Sequence, residues 1–106
     1  MYFKLPKPIA KLGSVLIDEM QILICGGMSA DYEPSAETWV LELETLEWTE
    51  KMSMHAPRLT SQGLIYSSQG KGKFVYAIGG NQVKLCERFH CTSERWEAIP
   101  SFQDKV

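Results

Sequence analysis

Two glycine pairs, Gly26-Gly27 and Gly79-Gly80, each close a run of apolar residues, and each is followed downstream by a tryptophan. Ile22-Leu23-Ile24-Cys25 leads into the first pair and Phe74-Val75-Tyr76-Ala77-Ile78 into the second, with Trp48 and Trp96 beyond them. Laid over itself from the tryptophans backwards, the chain puts Leu41 on Phe89, Thr45 on Ser93 and Trp48 on Trp96 without a gap. Self-similarity at a fixed period is the signature of a repeat architecture. It constrains the fold far more than it constrains the partner.

Within each unit the apolar pattern has period two, in short runs separated by turn residues, and this predicts an all-β chain. The first unit reads as strands at 14–17, 21–25 and 38–43, with a fourth starting at 47–49. The second reads as strands at 63–66, 74–78, 84–89 and 95–99, with a Ser-, Gln-, Gly- and Lys-rich hairpin loop at 67–73. No segment shows helical spacing over the ten or so residues a helix needs. Each unit is therefore expected to be a four-stranded antiparallel meander. A glycine pair ending a buried strand permits positive φ and lets another backbone approach closely. The tryptophans read as packing anchors between neighbouring sheets, because a buried aromatic contributes several kcal/mol.

These residues resemble the Kelch repeat, whose unit has an apolar strand ending in Gly-Gly, an aromatic-bearing third strand, a short acidic-x-Thr turn and a Trp in the fourth strand. Val40 to Trp48 and Glu87 to Trp96 carry the match, which covers about residues 9–100. Leu41 replaces the usual aromatic, and Leu43 and Cys91 stand where many members carry a turn residue. Arg58 resembles the family's arginine before the first strand, with Lys11 as its counterpart in the first unit. The resemblance implies two blades of a β-propeller: repeat 1 over 9–53, repeat 2 over 54–100, the tail of a preceding blade at 1–8 and a truncated linker at 101–106. It also implies a non-catalytic protein-binding scaffold or substrate receptor. A piece of a Kelch-type metal-dependent oxidase or lyase is the enzymatic alternative, and a degenerate fragment the third.

Composition narrows the partner class. With 106 residues, 44% apolar and 23% charged, the chain matches ordinary globular proteins and can hide roughly 65% of its unfolded surface. A net charge of −2, without basic blocks or an interleaved aromatic stripe, gives no reason to expect nucleic acid or an anionic membrane. No signal peptide is legible at the start, where Pro6 and Pro8 interrupt the apolar residues, and no run approaches the ~20 apolar residues of a membrane span. The three cysteines lie inside strand-like segments and read as reduced thiols of a cytoplasmic compartment.

In a meander, the loops after strands two and four share one end of the sheet. The loop from Met28 to Ser35 is longer than its counterpart after Gly80, and lengthened loops on a rigid scaffold are where function concentrates. Asp31, Tyr32, Glu33, His55, Arg58, Asn81 and Gln82 are therefore the expected partner-binding residues. The chain is expected to be an interior piece of a longer propeller or a short product derived from one, which leaves Trp39, Leu41 and Phe89 as candidates for exposure on the outer blade faces; self-association through those faces is the rival expectation.

Catalytic chemistry finds little to work with. Cys86 and Cys91 point to opposite strand faces by parity, and His90 shares the face of Cys86 four residues away, so no tetrahedral zinc set forms. His55 lacks an orienting carboxylate and a nucleophile elbow. No glycine-rich phosphate loop leads into a helix. No cofactor and no enzymatic activity are expected.

Overall fold

Alternation of apolar and polar residues becomes pairing of strands. A computed structural model describes residues 7, 9–10, 12–59, 64–68, 72–79 and 85–99, and among these the chain is all-β, with no helix. β1 (Ile9–Ala10) and β4 (Met28–Ser29) form a short antiparallel pair. β2 (Gly13–Asp18), β3 (Gln21–Cys25), β5 (Thr38–Glu42) and β6 (Glu47–Lys51) form the first four-stranded antiparallel sheet, adjacent in that order. β7 (Leu64–Ser67), β8 (Phe74–Ala77), β9 (Cys86–His90) and β10 (Arg95–Ile99) form the second, in the same up-and-down order. Neither sheet closes into a barrel. Gly80, Asn81, Gln82 and Lys11 lie outside the described residues.

Register decides which side chains share a face. In the first sheet, Cys25 opposes Thr38 and Leu23 opposes both Val15 and Val40, so these five residues lie on one face. Ile22, Ile24, Trp39, Leu41 and Trp48 lie on the other. In the second sheet, Val75 opposes Tyr66 and Phe89, Ala77 opposes Leu64 and Glu87, and Trp96 opposes Phe89. This face packs onto the Leu23 and Val40 face of the first sheet, and together with Ile17, Cys25 and Met54 it makes the core. Burying such side chains contributes about 1.5–3 kcal/mol each.

Two polar ties cross the same interface. The Trp96 indole Nε1–H donates to Thr38 Oγ1 at 3.0 Å, satisfying a buried polar pair. Lys51 Nζ reaches Glu94 Oε2 at 2.7 Å. β2 and β7, the first strands of the two sheets, are the ones whose backbones approach each other across the junction.

Leu41 and Phe89 differ from the sequence expectation of exposure. Both are buried. Phe89 faces the first sheet, its ring centroid 5.2 Å from that of Trp96, and Leu41 sits mid-sheet, in register with Ile22 and Trp48. Trp39 is half-buried.

The glycines behave as their positions require. Gly26, Gly27 and Gly79 have φ of 70°, 91° and 65°, a region that disfavours side chains. At Gly27 a Cβ would come within 2.8 Å of the Ala10 carbonyl oxygen and 2.6 Å of Ile9 Cγ2, because β1 passes directly over it. The β5–β6 and β9–β10 turns share one geometry. Leu46 N–H donates to Glu42 O and Glu94 N–H to His90 O, each at 2.7 Å, and both residues have φ of 61°. No helix long and apolar enough to cross a membrane occurs among the described residues.

Candidate functional site

Two connections meet at one end of the sheets: the loop that follows β3 and the stretch that links the first sheet to the second. The first begins at Gly26-Gly27 and folds back on itself as a tight hairpin. Ser29 N–H donates to Glu33 O and Tyr32 N–H to Ser29 O, both at 3.0 Å, and Met28 bridges Pro34. Tyr32 occupies the tip with φ of 63° and is 84% exposed, flanked by exposed Asp31 and Glu33. The Asp31 N–H donates to Ser29 Oγ at 3.3 Å, which holds the tip in place.

The second connection is fastened to the first by backbone bonds. Gly27 N–H donates to Arg58 O at 2.9 Å, Arg58 N–H to Ser35 O at 3.0 Å, and Met54 N–H to Ala36 O at 2.8 Å. The expected neighbourhood of the 28–35 and 51–60 loops is thus present across residues 51–59.

Arg58 is placed differently from its expected surface role. It is 1% exposed, and its guanidinium is committed inside: Nη2 donates to Glu87 Oε2 at 2.9 Å, and Nη1 to the carbonyls of Ala77 and Gly79 at 3.2 and 3.1 Å. Glu87 is fully buried and accepts three more bonds. They come from His55 N–H at 2.7 Å, Ala56 N–H at 3.0 Å and His55 Nδ1 at 3.0 Å. One carboxylate thus gathers residues 55–58 of the inter-sheet connection onto β9, and the network compensates the cost of burying two charges. His55 keeps an exposed side chain at this end, with its Nδ1 on Glu87; the sequence expectation that no carboxylate orients it is therefore overturned, because that partner lies on a distant strand.

Glu87 and Thr38 were missed as organising residues in the sequence. The signal for Glu87 was available. Parity puts it on the face of Phe89, and a charge on a core face demands a buried partner.

A second pinning point lies beside the first sheet. Trp39 Nε1–H donates to Glu37 Oε1 at 3.1 Å, and Lys7 Nζ lies 2.9 Å from Glu37 Oε2. The Lys7 hydrogen bond, helped by Trp39, holds the Glu37 carboxyl below its ordinary range against the opposing effect of partial burial. Lys7 is raised in turn by the same hydrogen bond.

The outward face of the second sheet is knit together differently. The Arg88 guanidinium stands 4.3 Å from the Phe74 ring centroid and pairs with Glu97. His90 meets Phe74 edge-on at 4.8 Å. The Cys91 thiol is pushed up chiefly by burial. Among the described residues, no group of three His, Cys, Asp or Glu side chains gathers as a metal site.

Of the expected binding residues, Asp31, Tyr32, Glu33 and His55 lie at this end with exposed side chains. Arg58 lies beneath them, and Asn81 and Gln82 lie outside the described residues. No protein-family model matches the chain, and no curated protein matches it.

Proposed function

We propose that the chain is a non-catalytic protein-interaction module of the Kelch type, its two sheets acting as consecutive blades and its loop end as the contact surface. The supporting observation is the pinned hairpin: Tyr32 is 84% exposed, while the loop below it is tied to Arg58 and, through Arg58, to the buried Glu87. An exposed aromatic on a preorganised support is the type of group that anchors protein interfaces, because little ordering entropy remains to be lost on binding. Asp31 and Glu33 set an acidic rim and His55 an imidazole on the same end. The shared order of the two sheets, the matching Leu46 and Glu94 turns and the glycines at the ends of β3 and β8 support the blade reading.

The test compares proteins retained by the immobilised chain and by its Tyr32→Ala variant. An anchor of this kind costs ~2 kcal/mol or more when truncated, about 30-fold in affinity, at unchanged thermal stability. A retained protein whose affinity ignores both Tyr32→Ala and Asp31→Asn with Glu33→Gln would overturn the assignment of this surface.

A further inference from the structure

A recess lies at the end of the sheets opposite the Tyr32 hairpin. Residues 19–20 join β2 to β3 and residues 68–73 join β7 to β8, and β2 and β7 are neighbours across the junction. The register of β2 shifts between Leu16 and Asp18, just before the shorter connection. Between these two unequal connections is a cavity of about 450 Å³, within the ~300–1,000 Å³ typical of small-molecule sites. Both sheets contribute to it, so it belongs to the junction between them.

Its lining divides by chemistry. Leu16, Ile17 and Tyr66 form an apolar floor. Ile17 is buried and Tyr66 packs against the inter-sheet core, which fixes the floor, while Leu16 is 53% exposed at its edge. Asp18 and Glu19 bring negative charge from the first sheet, and Lys73 brings positive charge from the second. Both sides of the rim are held in place. Asp18 Oδ1 accepts the Met20 N–H at 2.8 Å, and the Lys73 carbonyl accepts the Cys91 N–H at 2.9 Å.

These charges are unspent. Among the described residues Lys73 has no carboxylate partner, unlike Lys7, Lys51, Arg58 and Arg88, and neither Asp18 nor Glu19 has a cationic one. The two signs nonetheless act on a common point. Burial pushes the Cys91 thiol up, and beyond that Lys73 lowers it and Asp18 raises it. An anionic ligand in this recess would face Asp18 and Glu19, and a cationic one would face Lys73. A molecule that carries both signs beside an apolar body meets neither repulsion.

We infer that the recess binds a small zwitterion with a large apolar side chain, an α-amino acid of the phenylalanine or leucine kind. The side chain covers Tyr66 and Leu16, the carboxylate meets Lys73, and the ammonium meets Asp18 and Glu19. The rim charges are solvated and select the ligand more than they hold it, and the apolar floor supplies most of the affinity. The site lies apart from the Tyr32 surface and does not rest on the protein-interaction reading.

Titration of the purified chain with phenylalanine, followed by NMR shifts, tests it. The expected result is saturable shifts at Leu16, Ile17 and Tyr66 at millimolar ligand. N-acetylphenylalanine, which lacks the ammonium, and phenylalaninamide, which lacks the carboxylate, should each bind about two- to fivefold more weakly. In Lys73→Gln, phenylalanine and phenylalaninamide should bind alike. In Asp18→Asn with Glu19→Gln, phenylalanine and N-acetylphenylalanine should bind alike. Asp18→Asn keeps an acceptor for the Met20 N–H, and all three side chains are exposed, so both variants should fold by circular dichroism. No saturable shift at the floor residues overturns the inference. So does equal binding of the three compounds to the wild type, since that is an apolar cleft without charge selection, and this comparison needs no variant. Tyr32→Ala leaves the titration unchanged, which separates failure here from failure of the loop surface.

Discussion

The third strands of the two sheets begin at matching places, yet one carries Trp39 and the other Glu87. In the first sheet the indole donates outward to Glu37, which Lys7 holds at the surface. In the second, the carboxylate points inward and takes four bonds from His55, Ala56 and Arg58. Both arrangements fasten a preceding segment to the third strand. One does so with a solvated, screened ion pair, the other with a desolvated network whose loss costs several kcal/mol. The strand position does not dictate the residue; the segment laid across it does.

The sharpest way to break this comparison is to truncate each anchor. Glu87→Ala strands Arg58 without its counter-charge and leaves two backbone N–H groups unpaired, so denaturant unfolding should show a loss of about 3–5 kcal/mol. Trp39→Ala should cost roughly 1–2 kcal/mol, because its ring is only half-buried. Equal losses would mean that the two sheets are fastened alike. The paired change Arg58→Met with Glu87→Leu should recover part of the loss, limited by the N–H groups of His55 and Ala56 that then lack an acceptor.

The glycines sharpen the contrast at an intermediate scale. Gly27→Ala combines left-handed strain with a clash against the Ala10 carbonyl, and should cost about 2–5 kcal/mol. Gly79→Ala meets open space and should cost only the strain, about 1–2 kcal/mol. Thermal melts of the two variants decide it.

The smallest effect is one of pH. The Glu37 carboxyl lies below its ordinary value in the fold, so its contribution is complete above the unfolded carboxylate range near ~4.3 and fades as pH falls through the folded value. The melting temperature of the wild type should exceed that of Glu37→Gln slightly at neutral pH, and the two should converge in acid. A gap that widens in acid would reverse the sign and remove Glu37 from this role.

Much of the fold was legible as alternation. The runs at 21–25 and 95–99 became β3 and β10 with the same bounds, since strong period-two segments between turn residues leave little choice. β1 and β4 were not legible, because strands of two residues carry no period and form here only by pairing with each other. The sequence also could not say which face meets a neighbour. Parity grouped Trp39 with Leu41, yet the contact that buries Phe89 is set by the docking of one sheet on the other. At the candidate site, Tyr32 and its acidic flanks stood out as a long loop should. Arg58 looked like a surface donor because the residue that claims it lies far along the chain, on a strand whose acidic member passed as ordinary alternation.

The bond between Trp96 and Thr38 gives the molecule an internal reporter. Each sheet is a meander of neighbouring strands and forms by short-range closure, whereas Trp96 enters an apolar, hydrogen-bonded setting only when the second sheet settles on the first. Trp39 and Trp48 are only partly buried in the fold and lie on the opposite face of the first sheet, away from the junction. Indole emission from a chain keeping Trp96 alone would therefore time the meeting of the two sheets separately from the making of either.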